Sequence, residues 1–185
     1  DMLANGGLMS YSDLSSYETT RTNPLTSKYR DFEIYTNHPP GGGVMLLEML
    51  NVLENFNLRD MTHNSSEYIR IVSETMKRAT LDKEMFVGDP LFIDVPLEKL
   101  LSKEYASEVS DKIKKNERTF INRVTQIEPK NTTHVSVIDQ EGNCVTMTHS
   151  LGMPSGVITD GLGFMFNGCM AVFDPRPGRA GSVAP

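Results

Sequence analysis

Basic residues are scarce in this chain. Lys and Arg number 18 against 24 Asp and Glu over 185 residues, giving a net charge of -6. A nucleic-acid footprint needs clustered Lys and Arg, so no nucleic-acid partner is expected. Long apolar runs are also missing. The longest candidate, Val44 to Leu53, is interrupted by Glu48 and Asn51. It falls well short of the ~20 residues a membrane span requires, so no span is expected in this segment. Cysteine is nearly absent. Cys144 and Cys169 stand far apart, match no zinc spacing and make no disulfide framework. The four histidines are scattered without an HExxH pattern, and there is neither a GxGxxG nor a Walker loop. Nucleotide and metal chemistry are therefore not expected, and no cofactor is assigned. There is no signal peptide, and Asp1 is not a natural first residue. A removed N-terminal segment is expected, and the compartment stays open.

What is present suits a soluble globular protein: 38% hydrophobic and 23% charged residues, at a length sufficient for one ordinary domain. Ser10 to Tyr17 reads as a short capped helix, and Asp31 to Thr36 as a short alternating strand. After the break at Pro39-Pro40-Gly41-Gly42-Gly43, Leu46, Leu47, Leu50 and Leu53 recur at helical spacing within Val44 to Phe56. A second helix is expected from Asn64, with Glu67 as its capping partner and a stripe of Ile69, Val72, Met76 and Ala79. A third begins near Pro96 and carries Ala106, Val109 and Ile113. Lys114 to Asn131 is polar and weakly periodic, which predicts an exposed, mobile connector.

The pattern then switches to strands. Thr133 to Asp139 and Cys144 to Ser150 flank Gln140-Glu141-Gly142-Asn143, a hairpin signal, and a third strand is expected over Leu162 to Phe166. Helices followed by strands define an α+β chain. Three short strands do not make a self-sufficient sheet layer, so the chain is expected to be a fragment of something larger.

Asn131 to Ser150 (NTTHVSVIDQEGNCVTMTHS) is the stretch with the most chemistry. Thr132 sits where the connector meets the first strand. If the bond before it breaks, Thr132 gains a free α-amine that can act as base for its own hydroxyl. A Thr pair before a strand is also what strand propensity alone produces, so the local chemistry leaves both readings open.

Thr132-Thr133-His134-Val135-Ser136-Val137-Ile138-Asp139, then Gly142-Asn143 and Val145-Thr146-Met147-Thr148, resembles the start of the small subunit in the γ-glutamyltranspeptidase family. Gly161-Leu162-Gly163-Phe164-Met165-Phe166-Asn167 is similar to a later family stretch. Phe173-Asp174-Pro175-Arg176-Pro177-Gly178 resembles a loop of its acylase-like branch. Upstream, Asp13-Leu14, Tyr17, the Pro-Pro-Gly-Gly-Gly element, Glu74 with Met76-Lys77, and Gly88-Asp89-Pro90 resemble the end of the large subunit, in the right order.

The resemblance implies part of an N-terminal-nucleophile αββα sandwich. Residues 1–131 would belong to the large subunit and 132–185 to the small one. Thr132 would first attack the Asn131 carbonyl in self-cleavage, then a small-molecule amide substrate of the glutathione type. Ser150 matches a hydroxyl that hydrogen-bonds the nucleophile, and Thr148, on the same strand face, is a weaker candidate. The partners implied are the remainder of the two subunits. Among them, the resemblance puts a carboxylate-binding Arg upstream of Asp1, and an oxyanion-hole Gly pair and a Ser pair beyond Pro185. It implies a periplasmic or extracellular location, with the cytoplasm still open. Three positions depart from the family: Gly152, Cys169 and Val172 stand where polar residues commonly hold the glutamyl α-amine and α-carboxylate. An unpaired buried charge binds poorly, so a β-lactam-acylase-like amidase is the first rival. A non-catalytic homologue with a binding or scaffold role is the second.

Unpaired strand edges and an uncovered hairpin invite pairing with other chains. Light scattering on the isolated 185 residues should therefore show concentration-dependent association. A cooperative monomer would mean that these strands complete a layer by themselves.

Overall fold

The computed structural model describes residues 2–121, 132–142 and 144–182. The chain divides into two compact units, one drawn from 22–124 with 174–185, the other from 1–21 with 125–173.

In the first unit, β1 (Leu25–Tyr29) and β2 (Phe32–Thr36) pair antiparallel, with Leu25 opposite Thr36 and Tyr29 opposite Phe32. The alternation of β2 is visible in sequence. β1 reads as a polar stretch because Leu25 is the one residue it sends into the core. Four helices follow: α2 (Gly43–Leu53), α3 (Ser66–Phe86), α4 (Leu97–Leu100) and α5 (Lys103–Lys114). The N-cap of α3 is Ser65, whose hydroxyl accepts the Tyr68 amide at 3.2 Å. Asn64, expected to start the helix, instead adopts φ 59°, a left-handed turn that Asn tolerates. Pro96 stands at the N-cap position of α4.

The core lies between α2, α3 and α5. One cluster joins Leu25, Val44, Leu47, Val87 and Leu100; the other joins Val52, Ile71, Ala106, Val109 and Ile113. The face of α5 is the one its periodicity predicts. The faces of α2 and α3 are not. α2 buries Val44, Leu47, Glu48, Asn51 and Val52 and leaves Leu46 exposed. α3 buries Ile71, Glu74, Thr75, Ala79 and Asp82, while Ile69 and Met76 are 50% and 52% exposed. An apolar stripe misplaces these faces because the contact contains paired polar groups.

Asn51 is one of them. Its amide donates to the Leu101 carbonyl at 3.0 Å, and its oxygen accepts from Lys103 Nζ at 2.6 Å and Ser27 Oγ at 3.2 Å. It thereby ties α2 to β1 and to the turn before α5. The second set is acidic. Asp82 is fully buried and Glu48 is 2% exposed. Asp82 accepts Arg78 Nε at 2.8 Å, Arg78 Nη2 at 2.6 Å and Tyr105 Oη at 2.7 Å. Three donors suit Asp82 to carry the charge. Burial, then the hydrogen bond and charge of Asp82, push Glu48 from its ordinary 4.5 to about 9. Glu48 is therefore the protonated member at neutral pH and donates to Asp82. Burial and the same carboxylate also push the Tyr105 phenol up.

In the second unit, α1 (Tyr11–Ser15) starts with a capping box between Ser10 and Asp13. β3 (Thr132–Ile138) pairs antiparallel with β4 (Cys144–Ser150), and β5 (Pro154–Ile158) with β6 (Met165–Asn167). The expected strand over Leu162 to Phe166 corresponds to β6, which starts three positions later. β5 escapes notice because Pro154 and Gly156 are strand-poor residues. The connector residues 122–131 lie outside the described residues, as does Asn143 in the hairpin turn.

A raised carboxyl pKa means that the folded chain binds a proton the unfolded chain has released. That contribution to stability is complete below about pH 4.5 and is lost as pH rises through about 9. The slope is ~1.4 kcal/mol per pH unit for one proton. Glu48→Gln keeps a donor for Asp82 and has no proton to lose. Thermal melts across pH 5–9 should show the variant gaining on the wild type as pH rises. A constant difference would place the proton elsewhere.

Candidate active site

Alternation along β3 and β4 sorts their side chains onto two faces. The register places Thr132 opposite Ser150, His134 opposite Thr148, and Ser136 opposite Thr146 on one face. Thr133, Val135 and Val137 oppose His149, Met147 and Val145 on the other. The first face is a ladder of hydroxyls around one imidazole. The second is mostly apolar, and its valines and methionine are exposed.

Thr132 opens β3 and Ser150 closes β4, so the two meet at the free end of the hairpin. Their hydroxyl oxygens are 3.0 Å apart, a hydrogen bond in which either can donate. Thr148 is engaged differently. Its Oγ1 lies 2.9 Å from His134 Nδ1, while His134 Nε2 lies 3.2 Å from Ser136 Oγ. A neutral imidazole has one donor and one acceptor nitrogen, and hydroxyls can complement either arrangement. The structure thus brings together Thr132 with Ser150, and Thr148 with His134. Asn131 lies outside the described residues.

Beyond Ser150 the chain turns sharply. The Gly152 amide donates to Ser150 Oγ at 3.0 Å, with Gly152 at φ 65°. The turn is also held from the second hairpin. The Gly168 amide is shared between the carbonyls of Leu151 at 3.2 Å and Met153 at 2.6 Å. Cys169 Sγ donates to the Leu151 carbonyl at 3.5 Å, and the Cys169 amide to Asn167 Oδ1 at 3.0 Å. Cys169 is therefore a backbone-contacting residue of this turn. The side chain of Val172 lies outside the described ones.

Sequence reasoning missed the His134–Ser136 contact and the Gly168 contact. The first had a signal, the every-second-residue recurrence of Thr132, His134 and Ser136. The second had none, since it joins segments whose proximity depends on both hairpins.

In the other unit, the loop after Phe173 closes on itself. The Asp174 amide donates to the Gly181 carbonyl at 2.8 Å, and the Asp174 carboxylate pairs with Arg176. Among the described residues, no helix is long and apolar enough to cross a membrane.

The chain mixes helices and strands, and solved structures of N-terminal-nucleophile hydrolases superpose on it over part of their own length. Cephalosporin acylase from Bacillus halodurans matches with TM-score 0.77 at 26% identity, over 100% of this chain and 33% of its own. The Helicobacter pylori γ-glutamyltranspeptidase matches with TM-score 0.59 at 34% identity, over 69% of this chain and 36% of its own. The family model for gamma-glutamyltranspeptidase matches residues 1–184, and the chain belongs to that family. Among its relatives are the Acylase ACY 1 proenzyme of Pseudomonas sp. (strain V22), 36% identical over 100% of this chain, and the glutathione hydrolase proenzyme of Escherichia coli (strain K12), 32% identical over 96%. The chain spans about a third of the length of either relative, 34% and 32%.

Proposed function

We propose that this chain carries the nucleophile and the processing junction of a self-cleaving amidohydrolase or acyltransferase. The carrying observation is the 3.0 Å contact between Thr132 and Ser150 at the open end of the hairpin. The rest of the reading is built on it. Thr132 Oγ1 attacks the Asn131 carbonyl, its proton passes to the departing nitrogen as the C–N bond breaks, and water then hydrolyses the Asn131 ester to leave a carboxylate on Asn131 and a free α-amine and hydroxyl on Thr132. Residues 1–131 then belong to a large subunit and 132–185 to a small one. That both named relatives are proenzymes supports this order of events.

In turnover the α-amine takes the Oγ1 proton as Oγ1 bonds to the substrate carbonyl carbon. The amide nitrogen leaves as an amine after receiving a proton, and an acyl-Thr132 ester remains. Water releases the acid; an amine acceptor gives transfer instead. Ser150 donates to Oγ1 as charge develops there, and Thr148 supports the strand through His134 without touching the nucleophile. The remaining substrate contacts come from the remainder of the large and small subunits.

The substrate class is γ-glutamyl or related amides. A β-lactam-acylase-like specificity is the second reading, and specific observations favour it. Gly152 and Cys169 are engaged in the turn, at positions where the family commonly has polar substrate-binding groups. The acylase relative and the acylase structure also each cover the whole chain.

Mass spectrometry of the protein made from its complete reading frame should find a split between Asn131 and Thr132. Thr132→Ala should leave one intact chain and lower amide turnover by at least ~10³-fold, while Thr132→Ser should still split. An intact wild-type chain after long incubation would favour a non-catalytic scaffold. In kinetics, glutaryl amides, which lack the α-amine, should be turned over faster than γ-glutamyl-p-nitroanilide. The reverse preference would exclude the acylase-like reading and leave Thr132 in place.

A further inference from the structure

We propose that Gly168 is a positioning residue for the nucleophile, acting through the 151–153 turn and Ser150; the inference rests on the Thr132 reading above. The chain of contacts is continuous. Gly168 N–H holds the carbonyls of Leu151 and Met153. Those carbonyls flank Gly152 on either side, so fixing both sets the direction of the Gly152 N–H. That N–H points at Ser150 Oγ, which lies 3.0 Å from Thr132 Oγ1.

The consequence concerns the placement of one hydroxyl. A serine hydroxyl has one donor and two acceptor sites. With the Gly152 amide donating into one acceptor site, Ser150 Oγ is held 3.0 Å from Thr132 Oγ1, within reach for its O–H to donate to the nucleophile. A Ser150 O–H that donates there leaves the Thr132 proton free for its α-amine and gives Oγ1 a hydrogen bond as charge grows on it. Without the Gly152 amide, Ser150 Oγ loses a contact that holds it at that distance.

Position 168 must be glycine for this to work. A Cβ there would stand 2.6 Å from the Met153 carbonyl oxygen and 3.3 Å from its carbon. The obstacle is backbone, so no side-chain rotation relieves it, and the Gly168 amide would be lifted off both carbonyls. Asn167 supports the same arrangement from outside, since its Oδ1 accepts the Cys169 amide and bends the chain so that Gly168 N–H faces the turn. These groups all belong to one compact unit.

A double-mutant cycle in the protein made from its complete reading frame tests this, with the rate of splitting at Thr132 and steady-state amide hydrolysis as readouts. Ser150→Ala and Gly168→Ala should each slow both by roughly tenfold, the scale of one lost neutral hydrogen bond. The double variant should be no slower than Ser150→Ala alone, because Gly168 has nothing left to position. Independent losses that multiply would overturn the proposal, as would a Gly168→Ala variant as fast as the wild type. Should Gly168→Ala not fold by thermal melt, Asn167→Ala carries the same cycle, as it loosens the turn without a clash and its side chain is exposed. Thr132→Ala still active would instead overturn the proposed nucleophile itself. An inactive Thr132→Ala beside an unaffected Ser150→Ala would remove Ser150, and with it this inference, while keeping the nucleophile.

Discussion

The antiparallel register of β3 and β4 decides which side chains can meet in the strand unit. Side chains alternate between faces along a strand, so a slip of one residue would put Thr132 on the same face as Val145 and Met147 of β4 instead of Ser150 and Thr148. With Thr132 opposite Ser150, three alternate residues of β3 are polar and face polar partners: Thr132 to Ser150, His134 to Thr148 and Ser136 to Thr146. The hydrogen bonds of that face and the apolar character of the other both favour this register over its neighbours. The register thus places two hydroxyls at the hairpin end, and the turn beyond Ser150 adds an amide contact that holds one of them.

That turn illustrates how a site can be held mainly by backbone. Leu151, Gly152 and Met153 act through their amides and carbonyls, and Gly168 acts through its amide and through the side chain it lacks. Such contacts leave little trace in residue chemistry. Cys169 likewise reaches the Leu151 carbonyl with its thiol and the Asn167 side chain with its amide.

The helical unit follows a different logic. Its centre is polar where α2, α3 and α5 meet, and most of these groups are complementary, although Glu48 Oε1 and Thr75 Oγ1 are buried without a hydrogen-bond partner. Glu48 is kept neutral, Asp82 holds the charge against three donors, and Asn51 spans three segments. An isolated buried carboxylate would be strongly unfavourable, while one satisfied by Arg78 and Tyr105 also locks α3 to α5. The same arrangement makes the unit sensitive to pH through the pair at its centre.

Local pattern was enough to recover much of this from the chain alone. The β3–β4 hairpin, the capped α1, the long α3 and the buried face of α5 were legible, because period-two and period-3.6 signals and capping chemistry act between near neighbours. The Thr132-to-Ser150 segment and its family resemblance were legible for the same reason. The buried faces of α2 and α3 were not, since Glu48, Asn51 and Asp82 are acceptable inside only once their partners from other elements arrive. β1, with one core residue, and β5, interrupted by Pro154 and Gly156, exist because a neighbouring strand completes their hydrogen bonds. The sequence by itself determined the α+β class, the hairpin and the residue types at its open end. Only the tertiary structure decided which polar groups could be buried and which amide would hold the turn beyond Ser150, because both depend on contacts between segments that no local period encodes.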